Sequence, residues 1–260
     1  MRRSLSGARA LLIDLDGVLY VEDEVLEGAR EAVGALRNAG LGLRFVTNTT
    51  ARSGPQTLAK LARLGFEVAE DELVTPAALA RRRCEQAGHR RVALIMNEDV
   101  KTDFAGLEEA DERPDAVIMG DLGEAFGFAI LNRAFRMVME GGELIALQKN
   151  RFWLTADGLS LDAGPFVAAI EYASDREALV VGKPSPSFFE LVLAGLGVAA
   201  ADAAMVGDDI ESDVGGALAA GLRAVLVRTG KYREDFVAES GVVPTATVDS
   251  IADVPALLDS

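Results

Sequence analysis

The sequence predicts an α/β protein, with a parallel-sheet core interrupted by a smaller inserted α/β domain. Three observations predict it. Apolar runs of strand length alternate with stretches of helical spacing. Short acidic, amide or cationic segments follow several of those runs. About 130 residues separate two of these segments, Thr47-Asn48 and Lys183-Pro184, far more than one crossover requires.

In chain order, Ala10-Leu11-Leu12-Ile13 is the first strand, and its unbroken apolar character fits burial on both faces. Leu26, Ala29, Ala32, Val33 and Leu36 recur at helical spacing, with Gly40 as a C-terminal stop. Leu41 to Val46 is the next strand, and Leu58, Leu61 and Leu64 mark a helix closed by Gly65. Strand, helix, strand, helix implies parallel pairing through right-handed crossovers, a Rossmann-like arrangement. The rhythm resumes late in the chain, with helix at Phe188 to Leu196, strand at Ala203 to Val206, helix at Val214 to Ala220 and strand at Ala224 to Val227. The stretch between has strands at Val92 to Met96, Ala116 to Met119 and Glu143 to Leu147, and a helix from Phe128 to Met139. The core is therefore placed at residues 1–75 and 182–260, and the insert at 76–181.

Four segments carry the chemistry. Asp14 and Asp16 are two apart, so on an extended chain both carboxylates point to one face. Two carboxylates at a buried strand end repel each other and are costly to desolvate. A divalent cation resolves that cost, and Mg2+ takes one or two carboxylates plus waters and substrate phosphate. Thr47 and Asn48 offer a hydroxyl and an amide donor suited to phosphoryl oxygens, although both types are also common in turns and helix caps. Lys183 is a point charge able to offset phosphate and carboxylate together. Asp208 and Asp209 stand where a metal would need ligands, and Asp213 reads as a helix cap or a loop support. Each segment alone is weak evidence, but the ordered set reads as one metal-assisted phosphoryl-transfer site.

This ordered set resembles the haloacid-dehalogenase-like (HAD) hydrolase superfamily, whose members are mostly phosphatases. The resemblance implies that Asp14 is the nucleophile, forming an aspartyl-phosphate, and that Asp16 is the general acid/base. It implies that Thr47 and Lys183 hold the phosphoryl oxygens. Asp14, Asp208 and the backbone carbonyl of Asp16 would hold Mg2+, with Asp209 acting through a bound water and Asp213 supporting the loop. The insert resembles a C2-type cap, the class IIA arrangement, expected to cover the cleft, to form a homodimer, or both. Asn48 and Arg52 fall in a loop resembling the substrate-contacting loop of class IIA phosphatases. Gln148-Lys149-Asn150-Arg151-Phe152-Trp153 departs from the Thr-Asn-x-Asp pattern of the nucleotide and 4-nitrophenyl phosphatase relatives. It is more similar to the branch containing the phospholysine phosphohistidine inorganic pyrophosphate phosphatase and its hydrolase-domain-containing neighbours. Asp162-Ala163-Gly164-Pro165-Phe166 and Val181-Gly182-Lys183-Pro184-Ser185-Pro186 agree with that branch. Lys149 and Arg151 read equally as substrate contacts or as solvated cap residues.

The expected activity is Mg2+-dependent hydrolysis of a small phosphorylated compound, with pyrophosphate or a phosphoamide as candidates. Two rivals stand beside it. A phosphoacceptor signalling module also combines paired aspartates, Thr and Lys on a parallel sheet, but needs only about half this length and no cap. A non-catalytic binding protein on the same fold would not need the full acidic set. The net charge of −15 argues against nucleic-acid or anionic-membrane partners. It also requires that Mg2+, Lys183 and Arg52 reverse the field locally for an anionic substrate. The single cysteine, Cys84, excludes an intramolecular disulfide, and the single histidine, His89, has no nucleophile motif beside it. Trp153 is expected to pack. Arg2 and Arg3 precede no apolar signal region, and no run is long enough to span a bilayer, so the cytoplasm is the expected compartment.

Overall fold

A computed structural model describes residues 5–155 and 158–258, with the side chains of 153–155 and 158–159 outside the description. Two compact units emerge. The first comprises Met1–Thr47, Leu58–Val74 and Lys183–Ser260, and the second Asn48–Thr57 and Thr75–Gly182. The fold is α/β, and each unit is built on a parallel sheet. Segment 48–57 groups with the second unit, whereas the pattern of apolar runs places it with the core.

The first unit holds a six-stranded sheet. Its order is Ala246–Val248, Arg223–Val227, Ala203–Gly207, Ala10–Asp14, Gly42–Val46 and Leu73–Val74, with every pairing parallel. Ala10–Asp14 is buried along its whole length, as a strand covered on both faces must be. Its register sets Ile13 opposite Val206 on one side and Phe45 on the other, so the flanking strands end beside it. Helix Ala29–Asn38 buries Ala29, Ala32, Val33 and Leu36, the face that its spacing predicts. These side chains join Leu11, Ile13, Phe45, Leu61 and Val225 in one core cluster. Each fully buried aliphatic side chain there is worth roughly 1.5–3 kcal/mol. The two edge strands, Leu73–Val74 and Ala246–Val248, are too short to stand out as apolar runs.

The second unit has a five-stranded parallel sheet in the order Leu179–Val180, Glu143–Ala146, Ala116–Met119, Arg91–Ile95, Glu108–Glu109. Helices Phe128–Met139 and Gly164–Ser174 pack Ala134, Met137, Val138, Val167 and Ile170 into its core, beside a stacked Phe126–Phe166 pair. Helix Pro76–Ala87 starts on Thr75, whose hydroxyl accepts from the Ala78 N–H, and Cys84 is buried within it. Burial pushes the Cys84 thiol up to about 11, which makes it inert. His89 Nε2 lies 2.7 Å from Glu143, which also accepts from Arg83. The expectation for Trp153 concerns a side chain outside the described residues. Among the described residues no helix is long and apolar enough to cross a membrane.

Candidate active site

Parallel pairing aligns the carboxyl ends of Ala10–Asp14 and Ala203–Gly207, so Asp14 and Asp208 emerge side by side. Open α/β sheets bind ligands at this end. Asp14 is 8% exposed, Asp208 2% and Asp213 fully buried, and their carboxylate oxygens lie within 4.8 Å of one another. Lys183, 3% exposed, joins two of them, donating to Asp14 Oδ1 at 2.8 Å and to Asp213 Oδ1 at 2.6 Å.

Backbone groups clamp Asp208. The Lys231 N–H donates to Asp208 Oδ2 at 2.7 Å. Gly17 and Gly230 both have positive φ, and a Cβ on either would collide with the same oxygen. The Thr229 hydroxyl donates to the Gly17 carbonyl and ties these two turns together. Asp208 Oδ1 is buried and accepts no hydrogen bond among the described residues. The helical turn Ile210–Gly215 presents Asp213. It is capped by Asp209, whose Oδ1 accepts from Glu211 N at 3.1 Å and Ser212 N at 2.9 Å. Asp213 Oδ2 accepts from the Asp209 N–H at 3.2 Å, so both its oxygens are engaged. The cap is therefore Asp209 and not Asp213, because a cap must precede the first free N–H groups.

Three buried carboxylates face one buried ammonium, and the excess of negative charge shows in the protonation equilibria. Burial, then the charge of Asp213, pushes Asp208 up to about 6. Burial, then the charge of Asp14, does the same to Asp213. Burial also outweighs Lys183 and raises Asp14. Burial opposes the Lys183 ammonium, but Asp14 and Asp213 together hold its pKa above the ordinary lysine value. Burial alone would raise Asp209, yet the Ser212 N–H, Lys231 and the Glu211 N–H hold it below the usual range. A hard divalent cation fits this donor set. Surplus carboxylate charge and an orphaned buried oxygen are what such an ion satisfies. Asp14 and Asp208 are the residues able to hold it, with Asp213 the third carboxylate of the cluster.

The other residues singled out in the sequence are placed as follows. The strand ends at Asp14, and Asp16 lies beyond it in a turn bridged to Tyr20. Asp16 is exposed and its carboxylate is not in the cluster, so the same-face argument for an extended Asp14–Asp16 pair does not hold. Thr47 follows strand Gly42–Val46, is 3% exposed, and donates its N–H to Val74 O. Asn48 and Arg52 lie in the segment grouped with the second unit, where Arg52 is exposed. Lys149 donates to Glu171, and Arg151 lies over the Phe152 ring. The apolar run before Lys183 pairs with Glu143–Ala146 in the second unit's sheet. Lys183 thus does not end a strand of the first sheet but precedes helix Pro186–Leu196. Thr229, Gly230 and the Lys231 N–H went unassigned in the sequence. The available signal was their position just after strand Arg223–Val227.

Comparison with known proteins agrees with this geometry. Residues 11–108 match the family model described as haloacid dehalogenase-like hydrolase, and residues 180–254 match a second, HAD-hydrolase-like model. The chain is 43% identical over 242 residues to haloacid dehalogenase-like hydrolase domain-containing protein 2 of Homo sapiens, covering 93% of this chain and 92% of that protein. It is 39% identical over 262 residues to the phospholysine phosphohistidine inorganic pyrophosphate phosphatase of Homo sapiens, covering 98% and 96%. The p-nitrophenyl phosphatase from Archaeoglobus fulgidus superposes with a TM-score of 0.88 at 28% identity, covering 96% of this chain and 99% of that one. With its buried Asp–Lys–Asp constellation at the carboxyl ends of a parallel sheet, the chain belongs to the haloacid dehalogenase-like hydrolases.

Proposed function

We propose that this protein is a Mg2+-dependent phosphatase acting on a small phosphorylated compound through an aspartyl-phosphate on Asp14. The observation that carries the reading is the buried cluster in which Lys183 bridges Asp14 and Asp213 while Asp208 keeps one unpaired buried oxygen. Asp14 attacks phosphorus through a carboxylate oxygen, and the bond from phosphorus to the leaving group breaks. Asp16 gives its proton to the departing oxygen or nitrogen. Asp16, now a carboxylate, takes a proton from water, whose oxygen attacks phosphorus and releases Asp14 and inorganic phosphate. Lys183 and Thr47 orient and neutralise the phosphoryl oxygens, which is most of what this transfer asks of a protein. When bound, Mg2+ supplies Lewis-acid charge neutralisation at the phosphoryl group. Asp14, Asp208 and the Asp16 carbonyl would hold it, with Asp209 as a further, indirect support, while Asp213 positions Lys183.

The pyrophosphate and phosphoamide compounds named for the 39% identical relative are the first substrates to try, ahead of nucleotides. Substrate selection and homodimer formation are the roles proposed for the second unit, Asn48 and Arg52 are its proposed substrate contacts, and the cytoplasm is the proposed compartment. The test is phosphate release with Mg2+ from pyrophosphate, a phosphoamide, 4-nitrophenyl phosphate and a nucleoside monophosphate. Multiple turnovers that EDTA abolishes and Ca2+ restores poorly are expected, because the looser Ca2+ coordination does not keep the reacting atoms aligned. A single stoichiometric phosphorylation with no turnover would favour a phosphoacceptor module instead.

A further inference from the structure

Lys60 is 4% exposed, in the last turn of helix Gly54–Arg63, and the carboxylate cluster gives it no role. Lysine is almost never fully buried unless paired. Its ion-pair partner is Asp23, at 3.7 Å and itself 86% exposed. Its ammonium also sits 4.2 Å from the centroid of the Tyr20 ring, and Tyr20 is only 2% exposed. A desolvated ammonium on a buried aromatic face is the geometry in which cation–π attraction is strongest.

Tyr20 closes the turn that follows Asp14. Its carbonyl accepts from the Gly17 N–H at 2.7 Å, and Asp16 is bridged to it. The Val18 and Leu19 N–H groups fold back onto the Leu15 carbonyl. Tyr20–Val21 then pairs with Glu24–Val25, and Asp23 stands in the turn between them. On its other side Gly17 is held by Thr229 and pressed against Asp208. The Asp16-Gly17 peptide therefore has two anchors, the Thr229-Gly230 turn and Tyr20, and Lys60 fixes the second.

We propose that Lys60 is a positioning residue for Asp16: seated on Tyr20 and tethered to Asp23, its ammonium locks the Tyr20–Val25 hairpin and so holds Asp16 where it protonates the leaving group. This rests on Asp16 being the acid/base. Misplacing a proton donor slows substrates in proportion to how much their leaving group needs the proton. The experiment measures phosphate release with Mg2+ from 4-nitrophenyl phosphate, whose leaving group needs little protonation, and from an alkyl phosphate, whose leaving group needs it. Lys60→Met should lower kcat on the alkyl phosphate roughly tenfold or more, with much less effect on 4-nitrophenyl phosphate and KM within about twofold. Lys60→Arg, which keeps charge and ring contact, should restore most of the loss. Asp23→Asn, at an exposed position that does not threaten folding, should show the same selectivity at about two- to threefold. In an Asp16→Asn background, Lys60→Met should add nothing. Equal losses on the two substrates, or an undiminished loss without Asp16, would overturn the assignment. If Lys60→Met does not fold, Asp23→Asn decides by the same criterion. A wild-type chain that releases phosphate from no compound at all would overturn the functional reading and this inference with it.

Discussion

At the scale of single residues, the site is an electrostatic conflict held in place by packing. Asp208 and Asp213 are each pushed up to about 6, against about 3.9 for an unfolded aspartate. A carboxyl whose pKa rises on folding supports the fold only while protonated. In metal-free protein that support is complete below about pH 4 and is lost as pH climbs through about 6, at most roughly 3 kcal/mol per group. A cation binds the ionised carboxylates, so its stabilisation should run the other way. Melting curves in EDTA and in Mg2+ should differ more at pH 7 than at pH 5, and equal shifts would remove these carboxylates from the metal site. Gly230 gives a second test. Ala there meets a positive φ and drives a methyl into Asp208 Oδ2. Gly230→Ala should cost about 1 kcal/mol or more in urea unfolding and weaken Mg2+ activation at least tenfold. Asp14, Asp208, Asp213 and Lys183 stood out in the sequence only as an ordered set, since each acidic or cationic segment alone also reads as a solvated loop. Gly230 and the Lys231 N–H did not, because a backbone donor carries no residue signature.

At the scale of elements, strand ends and caps do the positioning. The paired ends of Ala10–Asp14 and Ala203–Gly207 set two carboxylates side by side, and the turn Ile210–Gly215 brings back the third. That turn depends on Asp209, which satisfies two otherwise unpaired N–H groups. Asp209→Ala should cost about 1 kcal/mol by denaturant unfolding and lower kcat by letting Asp213 and Lys183 drift, while Asp209→Asn should retain most of the stability. Apolar period alone located the long strands and helix Ala29–Asn38 well. The insert bounds of 76–181 already placed Leu179–Val180 in the second unit, and its pairing with Glu143–Ala146 shows which strand it joins there. The apolar pattern carried the extended chain two residues too far at Asp16, because nothing apolar marks where pairing stops.

At the scale of the whole molecule, a chain of net charge −15 is expected to take an anionic substrate. Global charge opposes that, so the attraction must be local, from Lys183 and a divalent cation against a low-dielectric wall. The long insert between Thr47 and Lys183 was legible as a separate α/β unit because 130 or so residues with their own strand rhythm exceed any single crossover. The transfer of segment 48–57 to that unit was not, since it depends on bonds such as Asn97 Nδ2 to Thr50 O and Gly54 N to Asp103. The most direct test is steady-state phosphate release in Mg2+ by the wild-type chain and by Asp14→Asn, a near-isosteric change at the proposed nucleophile. The wild type is expected to turn over repeatedly and Asp14→Asn to lose at least about a thousandfold in kcat while remaining folded. Release by Asp14→Asn at a rate near that of the wild type would contradict an aspartyl-phosphate on Asp14, whatever the fold.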